Sequence, residues 1–199
     1  MNINYQEELD KIIKNQNGKK KLLLHSCCGP CSSYVLDYLH NYFDITVLFY
    51  NPNIYPYDEY NKRLKEQVKL LNLAYKDEIK IMDCSYDHDD YLKYIKGLEE
   101  EKEGGKRCHL CYLYRMEKVA NIAKDNHFDY FTTTLTVSPY KNSKVLNEIG
   151  KSLEDKYKIK YLYSDFKKKD GYKKSIELSK KYDLYRQNYC GCEFSIYDK

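Results

Sequence analysis

The feature that most constrains this chain is Lys21-Leu-Leu-Leu-His-Ser-Cys-Cys-Gly-Pro-Cys31, an apolar strand that runs straight into three cysteines. Ser32-Ser-Tyr-Val-Leu-Asp-Tyr-Leu39 follows and reads as an opening helix. A strand, a reactive loop and a helix in that order form the unit of an open α/β fold, which places its chemistry at the carboxyl ends of its strands. The rest of the chain repeats the alternation. An amphipathic helix is predicted over residues 4–16, stopped by Asn17-Gly18. Further strands are expected at 45–50, 78–82, 129–134 and 160–163, and helices at 58–73, 91–103, 112–126, 141–156 and 171–182. The near-continuous apolar run Ile45-Thr-Val-Leu-Phe-Tyr50 suits a strand covered on both faces. No hairpin signal separates the strands, so the expected fold class is α/β: a mostly parallel sheet flanked by helices. A chain of 199 residues can bury its own core, and residues 1–199 are read as a single catalytic domain. Within it, 1–18 carries an N-terminal helix and 184–199 a cysteine-bearing tail.

The cysteines need a compartment before they can be interpreted. No leading hydrophobic segment has the form of a signal peptide, and no apolar run reaches membrane length. The expectation is a cytoplasmic chain with no membrane partner, where thiols are kept reduced. Eight cysteines then point to metal binding or redox catalysis rather than a disulfide framework. Cys27-Cys28 with Cys31 and the pair Cys108/Cys111 come from distant segments, and two such loops are what a four-thiolate zinc or iron–sulfur site requires. Cys108 and Cys111 are expected just before the 112–126 helix, whose amino end lowers thiol pKa. Cys28-Gly-Pro-Cys31 by itself has the signature of a thioredoxin-like exchanger, although such an enzyme needs neither Cys27 nor a second C-x-x-C. A disulfide across Cys190-Gly-Cys192 would close a very small, easily reduced ring, which suits a redox-active pair; two free thiols on a mobile tail is the plainer alternative. Cys84 is read as a core residue, and His25 as facing the core from its strand. His109 is given no role. Asp165, Asp170 and the carboxylates at 83–90 are candidate proton donors or second-metal ligands, in competition with simple solvation.

A net charge of +4 permits a polyanionic partner without demanding one. The candidate RNA-binding residues are Lys167, Lys168, Lys169, Lys173, Lys174 and Arg186, interleaved with Tyr172, Tyr182, Tyr185 and Tyr189. Lysines hold phosphates and tyrosines stack on unpaired bases, although a lysine-rich face is equally expected as plain solvated surface. No glycine-rich phosphate loop of the Walker or Rossmann kind is present, so a nucleotide cofactor is not expected.

Taken together, His25-Ser-Cys-Cys-Gly-Pro-Cys31, Tyr50-Asn-Pro-Asn-Ile54, Lys106-Arg-Cys-His-Leu-Cys111, Phe131-Thr-Thr-Thr-Leu135 and Leu184-Tyr-Arg-Gln-Asn-Tyr-Cys-Gly-Cys192 resemble the QueH family of epoxyqueuosine reductases. The resemblance spans about residues 20–196 in order. It implies reduction of the epoxide of epoxyqueuosine to an alkene at the wobble position of tRNA, the last step of queuosine biosynthesis. It further implies a [4Fe–4S] cluster on Cys27, Cys28, Cys108 and Cys111, and an additional metal ion, iron, beside it. Cys31 is a candidate ligand of that ion, and Cys190 and Cys192 match a terminal redox-active pair. The implied partners are tRNA carrying epoxyqueuosine and an unidentified electron donor. The implied fold is similar to that of nucleotide-loop (HUP-like) tRNA-modifying enzymes. A thioredoxin-like thiol–disulfide oxidoreductase and a zinc-knotted RNA-binding module are the competing functions.

Overall fold

Leu22, Leu23 and Leu24 are all fully buried, which is possible for consecutive strand residues only when both faces of the sheet are covered. The computed structural model, which describes residues 3–76, 78–82 and 84–196, shows how. The strands are β1 (Lys20–His25), β2 (Phe43–Leu48), β3 (Lys80–Met82), β4 (Tyr130–Thr133) and β5 (Lys160–Tyr161). They form one sheet in the order β3-β2-β1-β4-β5, and every pairing is parallel. The expected mostly parallel α/β sheet is therefore parallel throughout.

The helices are α1 (Tyr5–Asn15), α2 (Gly29–Leu39), α3 (Tyr57–Ala74), α4 (His88–Tyr94), α5 (Lys106–Asp125), α6 (Ser143–Tyr157), α7 (Gly171–Lys181) and the short α8 (Glu193–Ile196). Leu22 and Leu24 join a core with Val35, Leu36 and Leu39 of α2, Leu70 and Leu71 of α3 and Leu9 of α1. Leu23 points the other way, into a core with Met116, Val119 and Ala120 of α5 and Leu146 and Leu153 of α6. Strand alternation thus supplies both hydrophobic layers of the doubly wound fold. Among the described residues no helix is long and apolar enough to cross a membrane.

Two helix boundaries differ most from the sequence expectation. The segment expected to be helical over 91–103 is helical only to Tyr94. Gly97 adopts φ +87°, and the Leu98 and Glu99 carbonyls accept hydrogen bonds from the Arg107 guanidinium, which lies across the segment. The helix expected at 112–126 begins earlier, at Lys106, capped by extended Gly105. Cys108 and Cys111 consequently sit inside its first two turns instead of preceding it.

The strand order reverses between β1 and β4, so their carboxyl ends open a crevice there, where α/β folds place their ligands. A buried polar knot pins this edge. The Ser26 hydroxyl lies 2.6 Å from Ser32 Oγ and 2.6 Å from Gln67 Oε1. Asn51 donates through Nδ2 to the Ser26 carbonyl at 2.8 Å. Because all of these groups are shielded from water, Ser26→Ala strands the Ser32 and Gln67 partners. It is expected to lower unfolding free energy by about 1–3 kcal/mol, measurable by urea denaturation.

Candidate active site

The turn after β1 presents Cys27 and leads through Cys28 into α2, where Pro30 occupies the first turn. The sulfurs of Cys27, Cys28 and Cys31 lie within 4.8 Å of one another, with Cys27 and Cys28 at 3.8 Å. Among the described residues no other cysteine joins that group. The turn after β4 meets them: the Cys27 amide donates to Thr134 Oγ1 at 3.2 Å, and the Thr134 hydroxyl donates back to Cys27 Sγ at 3.4 Å. Hydrogen bonds from the Cys28 and Cys31 thiols, helped by Thr134 and Lys141, hold the Cys27 thiol well below its ordinary pKa. Donating to Cys27 pushes Cys28 up to about 12, and Cys31 is likewise raised well above normal. One sulfur of the three is therefore the favoured thiolate.

Cys27, Cys28, Cys31 and Cys190 line a cavity of about 480 Å³, within the usual range for a small-molecule site. Arg63, Arg115, Lys141 and Arg186 supply its cations, and Glu103 is the one carboxylate among its lining residues. Arg63 and Arg115 are each only 2% exposed. Tyr140, Tyr172 and Tyr189 stand in the wall, Tyr140 being 79% exposed.

Cys108 and Cys111 lie on the face of α5 that also carries Arg115, an i, i+3, i+7 spacing. They feel the Cys190 sulfur electrostatically but do not line the cavity. The expectation that a helix amino end lowers their pKa is not met. Burial outweighs it and raises both thiols.

Cys190 and Cys192 are separate thiols in this structure. Their segment is held down along α3: Glu66 accepts from the Tyr185 amide, Arg63 Nη1 donates to the Cys190 carbonyl at 2.9 Å, and the Tyr55 amide donates to the Gly191 carbonyl at 2.8 Å. Gly191 has φ +98°, and a Cβ there would lie 2.8 Å from Arg63 Nη1, so glycine is required for that close approach. The tail is an integral wall of the site. Cys190 faces the cavity, whereas Cys192 is buried behind it.

The other singled-out residues divide. His25 is a core histidine: its ring bonds Thr133 Oγ1 at 2.8 Å and the Tyr50 carbonyl at 3.0 Å, and burial pulls its pKa down to about 3. Cys84 packs against the α5–α6 core. Asp165 is half of an ion pair with Lys167 at 3.2 Å. Lys167 also donates to the Thr136 and Lys141 carbonyls, and Lys169 is engaged by Asp10 and Tyr38. Lys168, Lys173 and Lys174 are exposed, and Arg186 reaches into the cavity wall over the Tyr172 ring. Arg63, Arg115, Lys141 and Asn51 were not foreseen. The helical spacing of Cys108, Cys111 and Arg115 was the available signal.

Comparison with known proteins agrees with this geometry. A family model described as epoxyqueuosine reductase QueH matches residues 22–198. The protein named epoxyqueuosine reductase QueH from Streptococcus pyogenes serotype M1 is 42% identical, over 97% of this chain and 78% of its own. The Staphylococcus epidermidis protein of that name is 44% identical, over 97% of this chain and 84% of its own. The one from Thermotoga maritima is 35% identical, over 89% of this chain and 91% of its own. Among solved structures, a predicted subunit of a tRNA methyltransferase from Methanocaldococcus jannaschii superposes with a TM-score of 0.52 at 16% identity, covering 81% of this chain and 74% of that one. At that identity the likeness speaks for the fold.

Proposed function

The chain belongs to the QueH family of epoxyqueuosine reductases, and on that premise we propose that it reduces the epoxide of epoxyqueuosine to an alkene at the wobble position of tRNA, using a [4Fe–4S] cluster. The observation that supports this reading is the convergence of Cys27, Cys28, Cys31 and Cys190 on a cation-walled cavity at the sheet's switch point, with Cys108 and Cys111 on α5 close enough to Cys190 to feel its charge. The donor set fits such a cluster. It consists of soft sulfurs, those of Cys27 and Cys28 lying 3.8 Å apart, and the surrounding cations balance the charge of several thiolates. Cys27, Cys28, Cys108 and Cys111 would hold the cluster, and Cys31 would hold a further iron. A cluster of this kind supplies electrons singly at low potential.

The chain's own residues do the rest. Opening the epoxide to the alkene takes two electrons and two protons and releases the oxygen as water. The buried wall of Cys28, Leu135 and Val137 keeps bulk water from that chemistry. Tyr140, Tyr172 and Tyr189 offer ring faces to the nucleoside and its neighbours, and Gln187 and Asn188 offer amides. The exposed Lys168, Lys173 and Lys174 would meet the phosphates of an RNA loop.

Cys190 and Cys192 are the redox-active pair of this proposal, with Cys190 in contact with the cavity. Cys190→Ser is expected to lower turnover at least about tenfold with a chemical reductant, about 1.4 kcal/mol in barrier. Unchanged turnover would rule out an obligatory relay through that sulfur.

Anaerobic purification tests the reading against its competitors. A brown protein containing iron and sulfide supports it. A colourless protein carrying zinc favours the zinc-knotted RNA-binding module, and a colourless, metal-free protein that reduces insulin disulfides favours the thiol–disulfide exchanger.

A further inference from the structure

Arg115 is a buried cation for which the described protein provides no carboxylate. It is 2% exposed, and among the described residues it makes no ion pair. Its guanidinium is held from two sides: Nη1 donates to Asn51 Oδ1 at 3.2 Å, and Nε donates to the Cys111 carbonyl at 3.3 Å. Nη2 is buried and has no hydrogen-bond partner. The residue lines the cavity, and the charges that act on it most strongly are the sulfurs of Cys111, Cys190 and Cys27, in that order. Asn51 is itself fixed to the end of β1 through the Ser26 carbonyl. The guanidinium is therefore anchored to two of the three segments that bring cysteines to the site.

Burying an unpaired guanidinium costs several kcal/mol unless an anion faces it. Lys141 repeats the pattern. Among the described residues it too lacks a carboxylate, and its Nζ lies 3.9 Å from Cys190 Sγ. Two cations without carboxylates on a cysteine-lined cavity, one of them with its Nζ against Cys190 Sγ, favour negative charge on sulfur.

We infer that Arg115 is a positioning residue for the sulfur centre: its free Nη2 donates a hydrogen bond to a thiolate or sulfide there, and its fixed charge makes that centre easier to reduce. This rests on the cluster reading proposed above. The sign follows from charge balance. Adding an electron makes the centre more negative, a nearby cation stabilises that state, and the potential is raised. Hydrogen bonds to cluster sulfurs act in the same direction.

The test is an anaerobic spectroelectrochemical titration of the iron-loaded protein and its variants, alongside iron and sulfide analysis. Arg115→Gln is expected to make one-electron reduction at least tenfold less favourable, a shift of about 59 mV to more negative potential. Arg115→Lys, which keeps the charge, is expected to recover most of that shift. Lys141→Gln is expected to move the potential in the same direction by less, and it decides the question if Arg115→Gln does not assemble the centre. Iron-loaded variants with the parent potential overturn the inference while leaving the cluster reading intact; a raised KM beside that unchanged potential hands the guanidinium to the substrate instead. Unmodified protein without iron and sulfide overturns the cluster reading itself.

Discussion

Serine in place of Cys27 is expected to leave a folded protein that no longer retains iron and turns over more than about 100-fold more slowly, beyond what is lost when a metal ligand's outer partner is removed. The expectation follows from the electrostatics of the trio. Cys27 accepts from Cys28, Cys31 and Thr134 and faces Lys141, so it is the sulfur on which negative charge concentrates. A serine hydroxyl fills nearly the same space but is a hard, weakly acidic donor, unsuited to iron in a thiolate setting. Cys27 is half-buried, so the fold should tolerate the change. Cys84→Ser is the control: Cys84 packs on the α5–α6 core and does not line the cavity, so that variant should keep its iron. Iron and sulfide analysis beside circular dichroism reads both outcomes. A Cys27→Ser protein with full iron would remove Cys27 from the ligand set.

The second large effect lies away from the sulfurs. Gly171→Ala is expected to destabilise the protein by about 3 kcal/mol or more, at or beyond the usual upper end for overpacking. The first residue of α7 has no room for a methyl group. A Cβ there would lie 1.8 Å from the Phe166 carbonyl oxygen and 2.4 Å from the Tyr34 ring. The carbonyl is backbone and cannot swing aside, so α7 must move. Because Tyr172 and Ser175 of α7 line the cavity, substrate affinity should fall together with stability. Urea unfolding with an unchanged slope and a lowered midpoint would confirm the first part. An unchanged midpoint would show that α7 is not seated against Phe166 as described.

These two predictions also show what could be read from the sequence and what could not. The Cys27-Cys28 turn was legible because strand, loop and helix are local patterns, and three leucines in a row leave few alternatives to a doubly covered strand. The parallel sheet followed from the same alternation. The early start of α5 was not legible. Its first turn is Lys106-Arg107-Cys108, with no apolar stripe, and its cap is a glycine that reads as a breaker. The segment after α4 is held by Arg107 taking the Leu98 and Glu99 carbonyls, a contact across turns that periodicity does not report.

The cationic half of the site was hidden for a related reason. Arginine and lysine are normally surface residues, and only the fold reveals that Arg63 and Arg115 are turned inward. The lysine cluster is divided in a way that sequence does not show. Side by side in sequence, Lys167 is held inside by Asp165 and two backbone carbonyls, whereas Lys168 and Lys169 are exposed, Lys169 pairing with Asp10 at the surface. The tail looked detachable because its fastening to Arg63 and Tyr55 is long-range.

The most direct test of the central claim is incubation of anaerobically purified, iron-loaded protein with tRNA carrying epoxyqueuosine and a low-potential reductant, followed by mass analysis of the released nucleosides. The account predicts that the modified nucleoside loses one oxygen atom and becomes queuosine, and that Cys27→Ser protein leaves it unchanged. Epoxyqueuosine recovered intact after incubation with the iron-loaded protein would contradict it.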